Sequence, residues 1–158
     1  MTRDHAASVR ARLLNVAKAT GTDLNLVLVR FAPERLLFRL STSAPVDRFV
    51  LKGSLLTTLW YDLPHRAARD ADLLGFGPSD TGSMAGVFRD IASVAADDGI
   101  VSDPASVRVG DIRRDAGYGG VRVTLNGKLA KKAADRRAQR AAQLRLLPPR
   151  RRSSTSGQ

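Results

Sequence analysis

Residues 49–54 read FVLKGS, and residues 69–75 read RDADLLG. The first stretch is a short apolar run that ends in a Gly-Ser turn, and the leucines that follow at 55, 56 and 59 have the spacing of a buried helix face. The second stretch runs from a charged start into apolar residues and a glycine. Together they predict a strand over 49–51, a helix over 54–61 and a second strand over 69–74.

Asp70 and Asp72 occupy alternate positions of the second predicted strand. Their side chains should therefore point to one face of a sheet, while Ala71 points back into the core. Two neighbouring carboxylates can bind hard divalent cations through oxygen, and two such ions can clamp the attacking and leaving oxygens of an in-line phosphoryl displacement. The pair predicts a metal site, although a lone Asp-x-Asp is common in proteins that bind no metal.

The Gly-Ser turn has features that suit binding of a nucleoside triphosphate. Gly53 lets the backbone approach a phosphate closely, and Ser54 opens a helix whose free amides attract anions. Lys52, Arg66 and Arg69 are candidate phosphate-binding cations. Two alternatives stay open, because Lys-Gly-Ser also suits a helix start with a capping serine, and the two arginines also suit a solvated loop.

Composition bounds the class of protein. The 158 residues allow one domain with a real core, and 43% of them are apolar. No apolar run reaches the ~18–20 residues of a membrane span, and the N-terminus lacks the layout of a secretion signal. The absence of cysteine excludes disulfide scaffolds and Cys-ligated zinc. These features predict a cytoplasmic location and no membrane partner.

The net charge of +11 is concentrated at the C-terminal end of the chain. Residues 128–158 carry +9, whereas residues 1–127 carry only +2. The pattern predicts a basic helix over 133–147 and disorder from residue 150. Non-specific nucleic-acid binding through this tail is one alternative function. It would be salt-sensitive, and the tail has no aromatic residue on which bases could stack.

The remaining elements follow from apolar periodicity and turn residues. We expect a helix over 8–19, a second one capped by Asp23 and a third over 32–40 with Pro33 in its first turn. Ser79 or Asp80 should cap a further helix that runs to about residue 96. Residues 106–113 and 121–125 should form paired strands. Strands interleaved with helices indicate α/β or α+β packing.

Several segments beyond the two motifs resemble the nucleotidyltransferase toxins of the abortive-infection AbiEii/AbiGii family. The segments that carry the resemblance are residues 47–54, 64–66, 69–77 and 118–123. The resemblance spans roughly residues 8–128. It implies an α+β fold with a polymerase-β-like nucleotidyltransferase core, in which helices flank a small mixed sheet.

The same resemblance implies a function and a set of site residues. It implies Mg²⁺, a nucleoside triphosphate donor, transfer of a nucleotidyl group and a cognate antitoxin, and tRNA is a candidate acceptor because some relatives modify it. The Gly53-Ser54 turn and the catalytic, metal-binding pair Asp70 and Asp72 carry over directly. Arg66 matches the arginine that opens the family's Arg-x-Thr-x-Asp-x-Asp pattern, and Ala68 replaces its threonine.

The chain departs from the family toward its C-terminus. Family members continue into a strand with a further acidic metal ligand and then into a helical portion, but the only acid after Asp115 is Asp135. We therefore expect a partial nucleotidyltransferase domain over 1–129, incomplete at its C-terminus, and a basic low-complexity tail over 130–158, partly helical or disordered.

The composition of the tail suggests its origin. Residues from about Ala130 are rich in Arg, Ala, Pro and Ser, which is what translation of a GC-rich gene in the wrong frame produces. We expect that a frameshift or a truncation of the gene replaced the native sequence after about residue 129. Two hypotheses follow, an active nucleotidyltransferase and a catalytically inactive remnant of that family.

Overall fold

A computed structural model describes residues 5–60, 70–112, 119–130 and 143–147 of the chain, with backbone alone for 58–60 and 143–147. The helices are α1 (His5–Thr20), α2 (Leu24–Ser41), α3 (Ser54–Trp60) and α4 (Thr81–Ser93), with a short 3-10 helix at Ala44–Arg48. The strands are β1 (Phe49–Lys52), β2 (Asp70–Gly75), β3 (Ile100–Ile112), β4 (Gly120–Leu129) and β5 (Gln143–Leu147). Within the described residues, no helix combines the length and apolarity needed to cross a membrane.

The five described strands form one sheet in the order β1-β2-β5-β4-β3. The β2 and β5 strands run parallel, and the other neighbours pair antiparallel. A mixed sheet with flanking helices is the α+β architecture predicted from the sequence, and it is confirmed. The β3 and β4 strands are longer than predicted, with a bulge between Asp103 and Arg108.

The two faces of the sheet differ because side chains alternate along each strand. On β2, Ala71 and Leu73 are fully buried, whereas Asp70 and Asp72 are half-buried on the opposite face. The core lies on the first face, where α4 packs against β3 and β4. Its fully buried side chains include Phe88, Ile91, Val107 and Val123. One face of the sheet is thereby left available for polar groups.

The helix starts behave as the sequence predicts. The Asp23 carboxylate accepts a hydrogen bond from the Asn25 amide at 2.8 Å, and the Asp80 carboxylate accepts one from the Ser83 amide at 2.8 Å. Each satisfies an amide that has no partner within its helix. Both caps therefore mark true N-termini.

The predicted break at Pro33 is wrong. Residues 24–41 form the single helix α2, with Pro33 in its interior rather than in a first turn. Proline removes one intrahelical hydrogen bond there, but its ring is fully buried beside Ala32 and Leu36. Burial of the apolar residues on both sides of the proline outweighs the local preference for a helix end.

The predicted helix over 133–147 is wrong for its last five residues, which form β5. The strand lies at the centre of the sheet, with Leu144 in register with both Ala71 and Val123. Residues 144 and 146 take register positions on the core side of the sheet. Pairing of β5 with β2 on one edge and with β4 on the other overrides the helical pattern of the sequence. Residues 131–142 lie outside the described part of the chain.

A buried ion pair joins α2 to the segment that follows α4. Arg39 is only 2% exposed, and its guanidinium binds Asp98 through two hydrogen bonds of 2.8 and 3.1 Å. Arg35 Nε donates a further bond to the same carboxylate at 2.9 Å. Arg39 also donates to the carbonyl oxygens of Val94 and Ile100. The guanidinium is thus enclosed by acceptors that fix α2 against the start of β3.

Opposing influences set the pKa of Asp98. Burial raises this pKa, but the hydrogen bonds from Arg39, the Ile100 amide and Arg35, together with the charge of Arg39, hold it below the usual range of an aspartate. The folded state therefore favours the ionised carboxylate. Folding and ionisation of this group are coupled.

Removal of this carboxylate should destabilise the fold strongly. Asp98→Ala leaves the Arg39 guanidinium buried without its counter-charge, and we expect a loss of about 3 kcal/mol in the free energy of unfolding. The matched control is Asp97→Ala, because Asp97 pairs with His5 on the exposed surface and should contribute less than about 1 kcal/mol. Urea unfolding followed by circular dichroism measures both. Equal effects of the two substitutions would contradict the importance of the buried pair.

The same carboxylate predicts a dependence of stability on pH. Its folded pKa lies below the unfolded value of about 3.9, so its contribution is fully present above that value and is lost as the pH falls through the folded pKa. We expect the stability difference between the unchanged protein and Asp98→Ala to be constant from about pH 7 to 5 and to shrink below about pH 4. Unfolding curves at each pH test this, and a difference that grows on acidification would contradict it.

Candidate active site

The corner between β1 and α3 is built around Gly53. Its φ angle is +78°, in the left-handed region that a residue with a Cβ rarely adopts. The carbonyl oxygen of Gly53 accepts the hydrogen bond of the Thr57 amide at 3.3 Å, which begins the helix. The glycine thus turns the chain sharply from the strand into α3 between Lys52 and Ser54.

Asp72 packs directly against this corner. Its Cα is paired with that of Lys52 across β1 and β2. A Cβ placed on Gly53 would lie 2.6 Å from Oδ2 of Asp72, closer than real Cβ contacts occur. The position therefore needs glycine for two reasons, the left-handed backbone and the adjacent carboxylate. The structure brings the Asp-x-Asp motif and the Gly-Ser turn together.

Asp70 and Asp72 lie on the same face of β2, opposite the core. Neither forms an ion pair with another described residue, in contrast to Asp98. Lys52 is the cross-strand neighbour of Asp72 and so shares that face. Half-buried carboxylates that form no ion pair within the described part of the chain can provide oxygen ligands for a cation.

The two carboxylates fit a magnesium ion. Magnesium binds proteins through one or two carboxylates and takes its other ligands from water and substrate phosphates. Within the described residues no third His, Asp or Glu joins the pair. The β5 strand offers none, since the register places Gln143 beside Asp70 and Arg145 beside Asp72. The donor set therefore suits an ion that is completed by a bound triphosphate.

Other predicted site residues stand as follows. Ser54 is exposed at the first position of α3, and Lys52 is half-buried at the end of β1. Arg66 and Arg69, with Ala68, lie outside the described residues. The roles assigned to all of them remain predictions from sequence.

Three polar residues on β3 and β4 were not anticipated from the sequence. Arg108, Arg122 and Thr124 line a depression of about 550 Å³. Across β5, Thr124 is in register with Asp70, and Arg122 is in register with Asp72. Both residues therefore lie on the same face of the sheet as the two carboxylates. The alternation in residues 121–125, VRVTL, indicates that Arg122 and Thr124 lie on one face of a strand. It does not indicate which strands lie beside β4 in the sheet.

Comparison with known proteins assigns the chain to a family. A search of curated proteins finds no match. Residues 35–145 match the family described as "Nucleotidyl transferase AbiEii toxin, Type IV TA system". The match begins within α2, includes the Gly53 corner and both aspartates, and ends inside β5. It covers well over half of the chain, and the protein therefore belongs to the AbiEii nucleotidyl transferase toxins of type IV toxin–antitoxin systems.

Proposed function

We propose that this protein transfers a nucleotidyl group from a nucleoside triphosphate to an acceptor, with Asp70 and Asp72 binding Mg²⁺. The observation that carries the proposal is the contact between the Asp72 carboxylate and Gly53. It sets a cation-binding group beside a backbone corner that phosphate can approach closely. Membership of a nucleotidyl transferase family supports the same chemistry.

Each residue of the corner has a distinct task in this proposal. Asp70 and Asp72 would hold the cation, and both lie on β2, which is paired on both sides within the sheet. Gly53 leaves space for the Asp72 carboxylate, its exposed backbone would face a phosphate, and Lys52 adds positive charge on the same face. The bound cation would neutralise charge on the triphosphate and stabilise the transferring phosphoryl group.

The family also bears on partners. A type IV toxin implies a cognate antitoxin. We propose tRNA as the acceptor and the cytoplasm as the place of action, since transfer to tRNA is known among relatives and the donor nucleotides are abundant there. The Arg66 and Arg69 side chains are proposed to bind the donor phosphates.

A second candidate is a remnant of the family that binds nucleotide without transferring it. The observation that favours it is the composition of β5, in which glutamine and arginine stand in register with the two aspartates. No carboxylate from that strand reinforces the pair. Two acidic ligands would hold the cation less firmly than three, and they would therefore stabilise the transition state less.

Substitution of the two aspartates separates these candidates. With labelled nucleoside triphosphates, Mg²⁺ and total tRNA, the unchanged protein should transfer label, and Asp70→Asn/Asp72→Asn should lower the rate by at least ~100-fold because the cation loses its protein ligands. Asp90→Asn, an exposed aspartate on α4, is the control and should transfer normally.

The same proteins give a second readout in Mg²⁺-dependent nucleotide binding. Binding without transfer, abolished by the double substitution, would support the remnant. If the double variant binds nucleotide and transfers label as well as the unchanged protein does, the aspartates have no such role and the proposal is wrong.

Substitution of Gly53 tests the close approach to Asp72. Gly53→Ala should cost about 1–2 kcal/mol in the left-handed backbone and also displace the Asp72 carboxylate, so Mg²⁺-dependent nucleotide binding should fall at least tenfold. Gly21→Ala is the matched control, because Gly21 has φ +63° but nothing within 4 Å of an added Cβ. Gly21→Ala should show the backbone cost alone and keep nucleotide binding, whereas Gly53→Ala should lose binding as well. Equal binding by the two would contradict the role of the corner.

A further inference from the structure

The order of the strands divides the polar face of the sheet into two sides. The aspartates on β2 have β1 and the Gly53 corner on one side, and β5, β4 and β3 on the other. Strands lie about 4.8 Å apart, so β4 is roughly 10 Å from β2 and β3 roughly 14 Å. A group bound on β3 and β4 would therefore face the carboxylates from the side away from the corner.

The depression on that far side is basic. Arg108 is in register with Thr124, and Gly110 with Arg122. The two arginines are thus diagonal neighbours, close enough to act on one ligand, and Gly110 leaves the space beside Arg122 open. Asp111 also lines the depression, which leaves an excess of positive charge. A guanidinium pair with a hydroxyl nearby suits phosphate oxygens.

The guanidinium of Arg108 is held in place with donors to spare. Its Nη1 donates to the carbonyl oxygens of Ala105 at 3.0 Å and Val107 at 3.1 Å. Its Nε and Nη2, and the whole guanidinium of Arg122, have no acceptor or acid among the described residues. Arg48, in contrast, donates from Nε and Nη2 to main-chain carbonyls and so serves the fold.

We propose that the depression formed by Arg108, Arg122 and Thr124 binds a backbone phosphate of the nucleic-acid strand that accepts the nucleotidyl group. This inference rests on the proposed function, which places the triphosphate of the donor at the Gly53 corner. An acceptor must approach the transferring phosphorus from another direction, and the same face of the sheet continues to the arginines. The arginine on β4 lies about 10 Å from the aspartates, across β5, so a single acceptor strand can span both sites.

Binding of single-stranded RNA provides the test. The probe is a fluorescein-labelled RNA of about 12 nucleotides, followed by anisotropy from about 50 to 200 mM salt. In Arg108→Gln/Arg122→Gln, the dissociation constant for RNA should rise roughly tenfold. The slope of the logarithm of the affinity against the logarithm of the salt concentration should decrease by about 1. The control Arg10→Gln/Arg89→Gln removes the same charge from exposed positions on α1 and α4 and should bind like the unchanged protein.

The basic tail is present in every variant, so its contribution to RNA binding is common to all of them. If the Arg108/Arg122 variant binds RNA as the control does, the affinity comes from another part of the chain and the proposal is overturned. The same variant should bind Mg²⁺–nucleotide within about twofold of the unchanged protein. Loss of nucleotide binding with normal RNA binding would assign the depression to donor phosphates and would also overturn the proposal.

Failure of the proposed function has a different signature. The unchanged protein would then neither bind Mg²⁺–nucleotide nor transfer label, while its RNA affinity would still be measurable. In that event a loss of RNA affinity in the Arg108/Arg122 variant would still support the phosphate site, and equal affinity would still overturn it. Thermal unfolding of each variant verifies that the fold is intact.

Discussion

The main-chain pairing of β5 is the constraint on which the rest of the structure depends. On one side β1 pairs with β2, and on the other β3 pairs with β4. The five residues of β5 join these two pairs through hydrogen bonds on both edges. Only because the sheet is continuous do the two arginines share one face with the aspartates and the Gly53 corner. Without this strand, β2 and β4 would each present an open edge.

Sequence predicted local features well where one short signal decided them. Alternation at Asp70 and Asp72, the turn at Gly53 and the caps at Asp23 and Asp80 each depend on a few neighbouring residues. Features that depend on distant partners were missed. Pro33 is tolerated within a helix because its ring is buried. Residues 143–147 form a strand because they pair with both β2 and β4. The local sequence pattern indicates neither fact.

The sites themselves show the same division. Convergence of the aspartates on the Gly-Ser corner could be predicted, because strand, turn and strand follow closely in the chain. The depression on β3 and β4 could not, since its relation to the aspartates passes through β5. The buried pair of Arg39 and Asp98 also joins residues far apart in sequence, and the charge pattern alone gave no sign that this arginine would be buried.

The parallel pairing of β2 with β5 has a consequence for folding. Their partners, such as Asp70 and Gln143, are far apart in the chain, and closing so long a loop slows folding. During synthesis β2 emerges well before β5, so one edge of β2 stays unpaired in the meantime. Such an unpaired edge is prone to association with other chains. Until β5 inserts, the carboxylates and the arginines belong to separate sheets. The face of the sheet that we propose to bind substrates would therefore be complete only after β5 docks between β2 and β4.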